Sequence, residues 1–139
     1  MGHIAGWAGS YRNLLVWQRA MQLGAEINRV AGLMPPHERF EITRQMRTAS
    51  FSIALNIAEG KGRSTRADFA RFLAIARGSA MELSCCLDFV RTLRYVGDEE
   101  LTRAESLLDE VGRMLTAMLR SLAQPAREKV RSQYLATSD

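Results

Sequence analysis

The chain has 139 residues, of which 47% are hydrophobic and 24% charged, and it carries a net charge of +4 supplied almost wholly by arginine. That length and apolar content describe one domain with a packed core and exclude a disordered polyelectrolyte, while the arginine excess permits an anionic partner. No run approaches the roughly twenty apolar residues of a membrane span, the N-terminus lacks a signal-peptide pattern, and the adjacent Cys85 and Cys86 do not suit a disulfide, so no membrane association and a cytoplasmic location are expected.

Residues 1–10 show glycines and isolated apolar residues without a period and read as a loose arm, with Trp7 a docking candidate only in passing. Asn13 is the expected N-cap of a first helix carrying Val16, Ala20, Leu23, Ile27 and Val30 at three- and four-residue spacing. Pro35 and Pro36 end it, with a break at Met34 to His37, and the second proline leads into a second helix that starts near His37 to Phe40. Along this helix Met46, Ala49, Ile53 and Ile57 form one face, while Phe51 and Leu55 lie on the opposite side. A helix that is apolar on two sides is buried on two sides, so Phe51 and Leu55 are expected at an interface with a second subunit, and Phe40 is expected to be buried too.

Gly60 stands where a helix ends in the left-handed conformation, which predicts a stop near Ala58 or Glu59 and a break over Gly60 to Ser64. Thr65 and Asp68 read as a capping box that restarts the chain. The third helix is the longest, with Phe69, Phe72, Ala76, Ser79, Leu83, Cys86, Val90 and Leu93 as its seam and a small-residue patch at Ala76, Gly78, Ser79 and Ala80 suited to close helix contact. Tyr95, Val96 and Gly97 make a turn with a break over Val96 to Asp98. Asp98, Glu99 and Glu100 then open a fourth helix, whose seam is Leu101, Ala104, Leu108, Val111, Leu115, Met118 and Leu122 and which Pro125 interrupts. The expected fold is all-α, an antiparallel up-down-up-down four-helix bundle over residues 11–123 with a basic tail over residues 124–139 around Arg127, Lys129 and Arg131.

YRNLLVWQRA near the N-terminus, NIAEG at Asn56 to Gly60, and the run GRSTRADFARFLAIARGSAMEL behind it resemble the 23S rRNA intervening-sequence protein family over roughly residues 11–122. Glu41 departs from the family, which commonly has glycine there. The resemblance implies a helical bundle that assembles as a ring, with homopentamers expected, and brings no catalytic residues. EVGRML, here Glu110 to Leu115, is similar to a related branch, the accessory variability determinants of diversity-generating retroelements. That similarity implies nucleic acid and a reverse transcriptase as partners.

For catalysis the candidates are thin. His3 and His37 are not at ligand spacing from each other or from a cysteine, so no metal and no cofactor are expected. Cys86 falls on the apolar seam and reads as a small hydrophobe rather than a nucleophile. Glu59 closes a helix whose end disfavours negative charge and is expected to pair with Arg63, Arg19 or Arg77 as a structural latch. GKGR lacks the strand and the Lys-Ser/Thr end of a phosphate loop. The segment from Glu38 to Arg66 has a local excess of positive charge, and the helix after Asp98 an excess of negative charge. Arg44, Arg47, Lys61, Arg63 and Arg66 are therefore the expected contacts to an RNA or DNA backbone, with a pure protein-interaction ring as the other reading.

Overall fold

The computed structural model describes residues 10–124 and contains four α-helices: α1 (Leu15–Leu33), α2 (Ile42–Lys61), α3 (Arg66–Thr92) and α4 (Asp98–Ala123). Single 3-10 turns at Tyr11–Asn13 and Pro36–Glu38 precede α1 and α2, and no strand occurs among the described residues. The expectations placed on residues 1–9, with His3 and Trp7, and on residues 125–139 lie outside the described residues.

The inward stripes close on one another. Leu23, Ile27, Val30, Met46, Ile53, Ile57, Leu83, Val90, Leu101, Val111 and Leu115 are fully buried, so the core runs the length of the bundle. Each fully buried Leu or Ile contributes about 1.5–3 kcal/mol of transfer free energy. α1 packs on α2 and α4, and α3 packs on the same two helices, which arranges the four in a closed cycle. Cross-helix pairs run in opposite numerical order. Arg19 meets Glu110 while Arg29 meets Glu100, and Ser52 meets Ser79 while Gly60 meets Phe72. Neighbours in each of these pairs, α1–α4 and α2–α3, therefore point in opposite directions. Both ion pairs are solvent-exposed and worth about 0–1 kcal/mol each, so they mark register more than they stabilise.

Three local expectations are corrected. First, Leu14 rather than Asn13 is the N-cap residue of α1, because Asn13 belongs to the preceding turn, where the Ser10 hydroxyl accepts the Arg12 N–H at 3.2 Å. Second, α2 begins at Ile42, not at His37 to Phe40. Glu41 has the non-helical angles φ −113° and ψ −93°, and the turn before it is tied to the α3–α4 connection at the same end of the bundle: the Tyr95 hydroxyl donates to Glu38 at 2.7 Å and His37 meets the Tyr95 ring edge-on. Third, Gly60 is neither a terminator nor left-handed. The helix continues through it to Lys61, and Gly62 caps it in a right-handed conformation with its N–H toward the carbonyls of Ala58 and Glu59. Among the described residues the left-handed non-glycine is Arg94, φ 57°, just after α3.

What Gly60 provides is proximity. A Cβ placed there would sit 2.8 Å from the Cβ of Phe72 and 3.4 Å from the carbonyl oxygen of Phe69, so α2 and α3 touch backbone to side-chain root. Eight residues earlier Ser52 and Ser79 hydrogen-bond at 2.7 Å, and the Asn56 amide donates to the Ser52 carbonyl and hydroxyl at 2.8 and 3.0 Å. The Ser52 hydroxyl thus accepts from Asn56 and shares a further hydrogen bond with Ser79, in which either hydroxyl can donate. As expected, Thr65 caps α3, its hydroxyl accepting the Asp68 N–H at 3.1 Å.

Gly60→Ala should destabilise the fold by about 1–3 kcal/mol in guanidinium unfolding, although alanine is the better helix former, because the added methyl must push α3 away. Gly78→Ala is the control. Its Cβ meets nothing within 4 Å, so this exposed mid-helix change should stabilise by about 0.5–1 kcal/mol.

Candidate interaction surface

The expected interface residues stand on the outside of the subunit. Phe51 is 62% exposed and Leu55 67%, one turn apart on the face of α2 turned away from the core. Phe40, expected to be buried, is 71% exposed instead. It lies in the turn ahead of α2, before the helix has begun to face the core. Arg44 and Arg47 are exposed and fall on the same stripe of α2, since Arg44, Arg47, Phe51 and Leu55 follow one another at spacings of three, four and four. Neither arginine has an ion-pair or hydrogen-bond partner among the described residues. The apolar and basic groups that the sequence assigned to two roles therefore share one surface.

The cations of the α2–α3 turn are placed differently. Arg66 donates at 3.2 Å to the carbonyl oxygens of Ser121, Leu122 and Gln124, supplying the missing donors at the C-terminal end of α4, where positive charge is favoured. Arg63 donates to Glu59 at 2.9 Å and lies 4.8 Å from the Phe72 ring centroid. Lys61 sits 6.0 Å from the Phe69 ring centroid. Arg63 is thus the partner of Glu59, while Arg19 is taken by Glu110. With both side chains of the Glu59–Arg63 pair about half exposed, the latch is a weak surface pair. Of the NIAEG motif, Asn56 and Gly60 serve the α2–α3 contact.

A surface feature not anticipated from the sequence is a groove of about 690 Å³ between α3 and α4. Its lining combines small residues, among them Ala80, Ser84, Gly112 and Thr116, with the larger Met81, Leu87 and Leu108. Asp88, Glu105 and Asp109 stand toward one end and Arg77 and Arg120 toward the other. Nothing in the periodicity of either helix marks it, because a groove is made by residues missing from both helices at the same height.

Among the described residues no three His, Cys, Asp or Glu side chains come together as metal ligands, and no helix is long and apolar enough to cross a membrane. Cys86 is partly buried against the core, and that burial, with smaller contributions from Cys85 and Glu82, raises its thiol pKa. Cys85 is exposed. Alkylation by iodoacetamide near pH 8 should therefore label Cys85 first. The Cys85→Ser variant should react slowly and Cys86→Ser rapidly, as peptide mapping would show.

A family model described as 23S rRNA-intervening sequence protein matches residues 12–117. Among solved structures, the chain is similar to a protein with unknown function from the S23 ribosomal protein family of Bacteroides thetaiotaomicron VPI-5482. The TM-score is 0.71 at 22% identity, over 76% of this chain and 98% of that one. At this identity the likeness concerns the fold. No curated protein matches the chain.

Proposed function

Since the chain belongs to the 23S rRNA-intervening sequence protein family, we propose that it is a non-catalytic scaffold of that family that works by assembling with copies of itself through the outer face of α2. One observation carries this reading: Phe51 and Leu55, 62% and 67% exposed, stand one turn apart on the outer face of α2, and Phe40, 71% exposed, lies in the turn just before it. Large apolar side chains lined up in water are a standing cost that a protein contact removes and a phosphate backbone does not. The ring of five implied by the sequence resemblance is the form of assembly proposed, and a cytoplasmic location is proposed with it.

In light scattering coupled to size exclusion at micromolar concentration the wild-type chain is expected as a discrete oligomer. Phe51→Glu and Leu55→Glu should give folded monomers, with helical circular dichroism unchanged, since both side chains point away from the core. A wild-type monomer would sink the proposal.

A second reading, binding to an RNA or DNA backbone, is favoured by Arg44 and Arg47, exposed cations without partners. Lys61 and Arg63 supply further charge near the other end of α2, whereas Arg66 is engaged by the end of α4. Repetition around a ring would build a field from a modest patch. Retardation of RNA or DNA should then be strong at low salt and fall steeply as salt rises, with little sequence preference. On this second reading alone, Arg44→Glu with Arg47→Glu abolishes retardation while the oligomer persists. If that double variant loses the oligomer instead, the two arginines belong to the protein contact.

A further inference from the structure

The outer stripe of α2 and the α3–α4 groove match each other in length, shape and charge. On α2 the order is Arg44 and Arg47, then Phe51 and Leu55, then Glu59, a span of fifteen residues or about 22 Å of helix. On α4 the order along the groove is Glu105 and Asp109, then Gly112 and Thr116, then Arg120, again fifteen residues and about 22 Å. Laid parallel at one constant register, Arg44 falls opposite Glu105, Phe51 opposite Gly112, Leu55 opposite Thr116 and Glu59 opposite Arg120. Arg44 meets Glu105 at one end and Glu59 meets Arg120 at the other, Arg47 falls opposite Leu108, and the large Phe51 and Leu55 meet the smaller Gly112 and Thr116 between.

Two details favour an occupant. A Cβ at Gly112 would meet nothing within 4 Å, so the chain's own packing does not demand glycine there, and the space stands open where the phenyl ring would arrive. Asp88, at the acidic end, has no ion-pair partner among the described residues. Glu105 and Asp109 already hold Arg91 and Arg113, but each carboxylate has capacity for a second guanidinium.

We propose that the outer face of α2 docks in the α3–α4 groove of a second copy of this chain, parallel to that copy's α4. This rests on the self-assembly reading above and specifies its contact. Donor face and acceptor groove are different surfaces of one subunit, so the contact is head-to-tail and each subunit keeps one of each free for the next. Contacts of this type close into rings when the rotation between neighbours allows it. Arg44 and Arg47 then act as partner-selecting charges, bringing basic to acidic ends and disfavouring the reversed orientation.

The test uses the full chain with Cys85→Ser and Cys86→Ser as background, into which Leu55→Cys and Thr116→Cys are introduced separately and together. A short bis-maleimide should join the double variant into a ladder rising one subunit at a time on denaturing gels, while neither single variant cross-links. Dimers from Leu55→Cys alone would mean that two α2 faces meet each other, and would overturn the head-to-tail contact. An oligomer in light scattering whose double variant gives no ladder overturns this contact but leaves self-assembly standing. A monomer overturns both. A second measurement guards against damage from the cysteines: Arg44→Glu with Arg47→Glu should dissociate the oligomer, and adding Glu105→Arg with Asp109→Arg should restore it. Failure of that restoration, with all variants folded, counts against the register.

Discussion

The distance between α2 and α3 is set by atoms rather than by side-chain volume. At Gly60 the α2 backbone comes close enough to Phe72 that a single methyl group would have no room, and at Ser52 and Ser79 two hydroxyls bridge the helices directly. Because small residues hold the pair together, the larger ones on both helices are turned toward α1 and α4, where Ile53, Ile57, Leu73 and Leu83 build the core. Asn56 belongs to the same device, since it donates to the hydroxyl that makes the bridge. An aligned contact of this sort leaves little freedom of rotation, and the outward direction of α2 follows from it.

That outward direction is what gives the molecule something to do. In a closed cycle of four helices each member has two neighbours and an outer arc, and apolar side chains stand exposed on α1 and α3 as well, among them Met21, Met81 and Phe89. On α2 the arc carries Phe51 and Leu55 beside Arg44 and Arg47, with Phe40 exposed in the turn before the helix. The described chain leaves Phe51 and Leu55 mostly exposed there. The α3–α4 groove answers this surface because Gly112, Ser84 and Ala80 leave the space that larger residues would have filled. Bulk missing from one face and bulk exposed on another are the two halves of a contact that a single chain cannot satisfy by folding alone.

The arginines show how far charge counting goes. Five cations between Arg44 and Arg66 look alike as a string, yet their guanidinium and ammonium groups have different employment. Arg66 caps the end of a helix fifty-five residues away, and Arg63 is shared between Glu59 and an aromatic face. Arg44 and Arg47 remain uncommitted in the subunit. A basic cluster in sequence becomes a binding surface only where its members have not been used to complete the fold, and that depends on which backbone carbonyls and rings stand within reach.

The four helices and the faces they bury were legible without coordinates. Helix periodicity is a local property, and Met46, Ala49, Ile53 and Ile57 announce an inward face whatever they pack against. Phe51 and Leu55 were legible as outward residues for the same reason. Other features were decided only by the tertiary structure. The role of Gly60 as a point of contact rather than a stop depends on Phe72, and the late start of α2 accompanies Tyr95 holding Glu38. The exposure of Phe40, the engagement of Arg66 and the existence of the groove likewise depend on residues distant in sequence. Each is a distance between two segments of chain, a quantity that spacing along one segment does not contain.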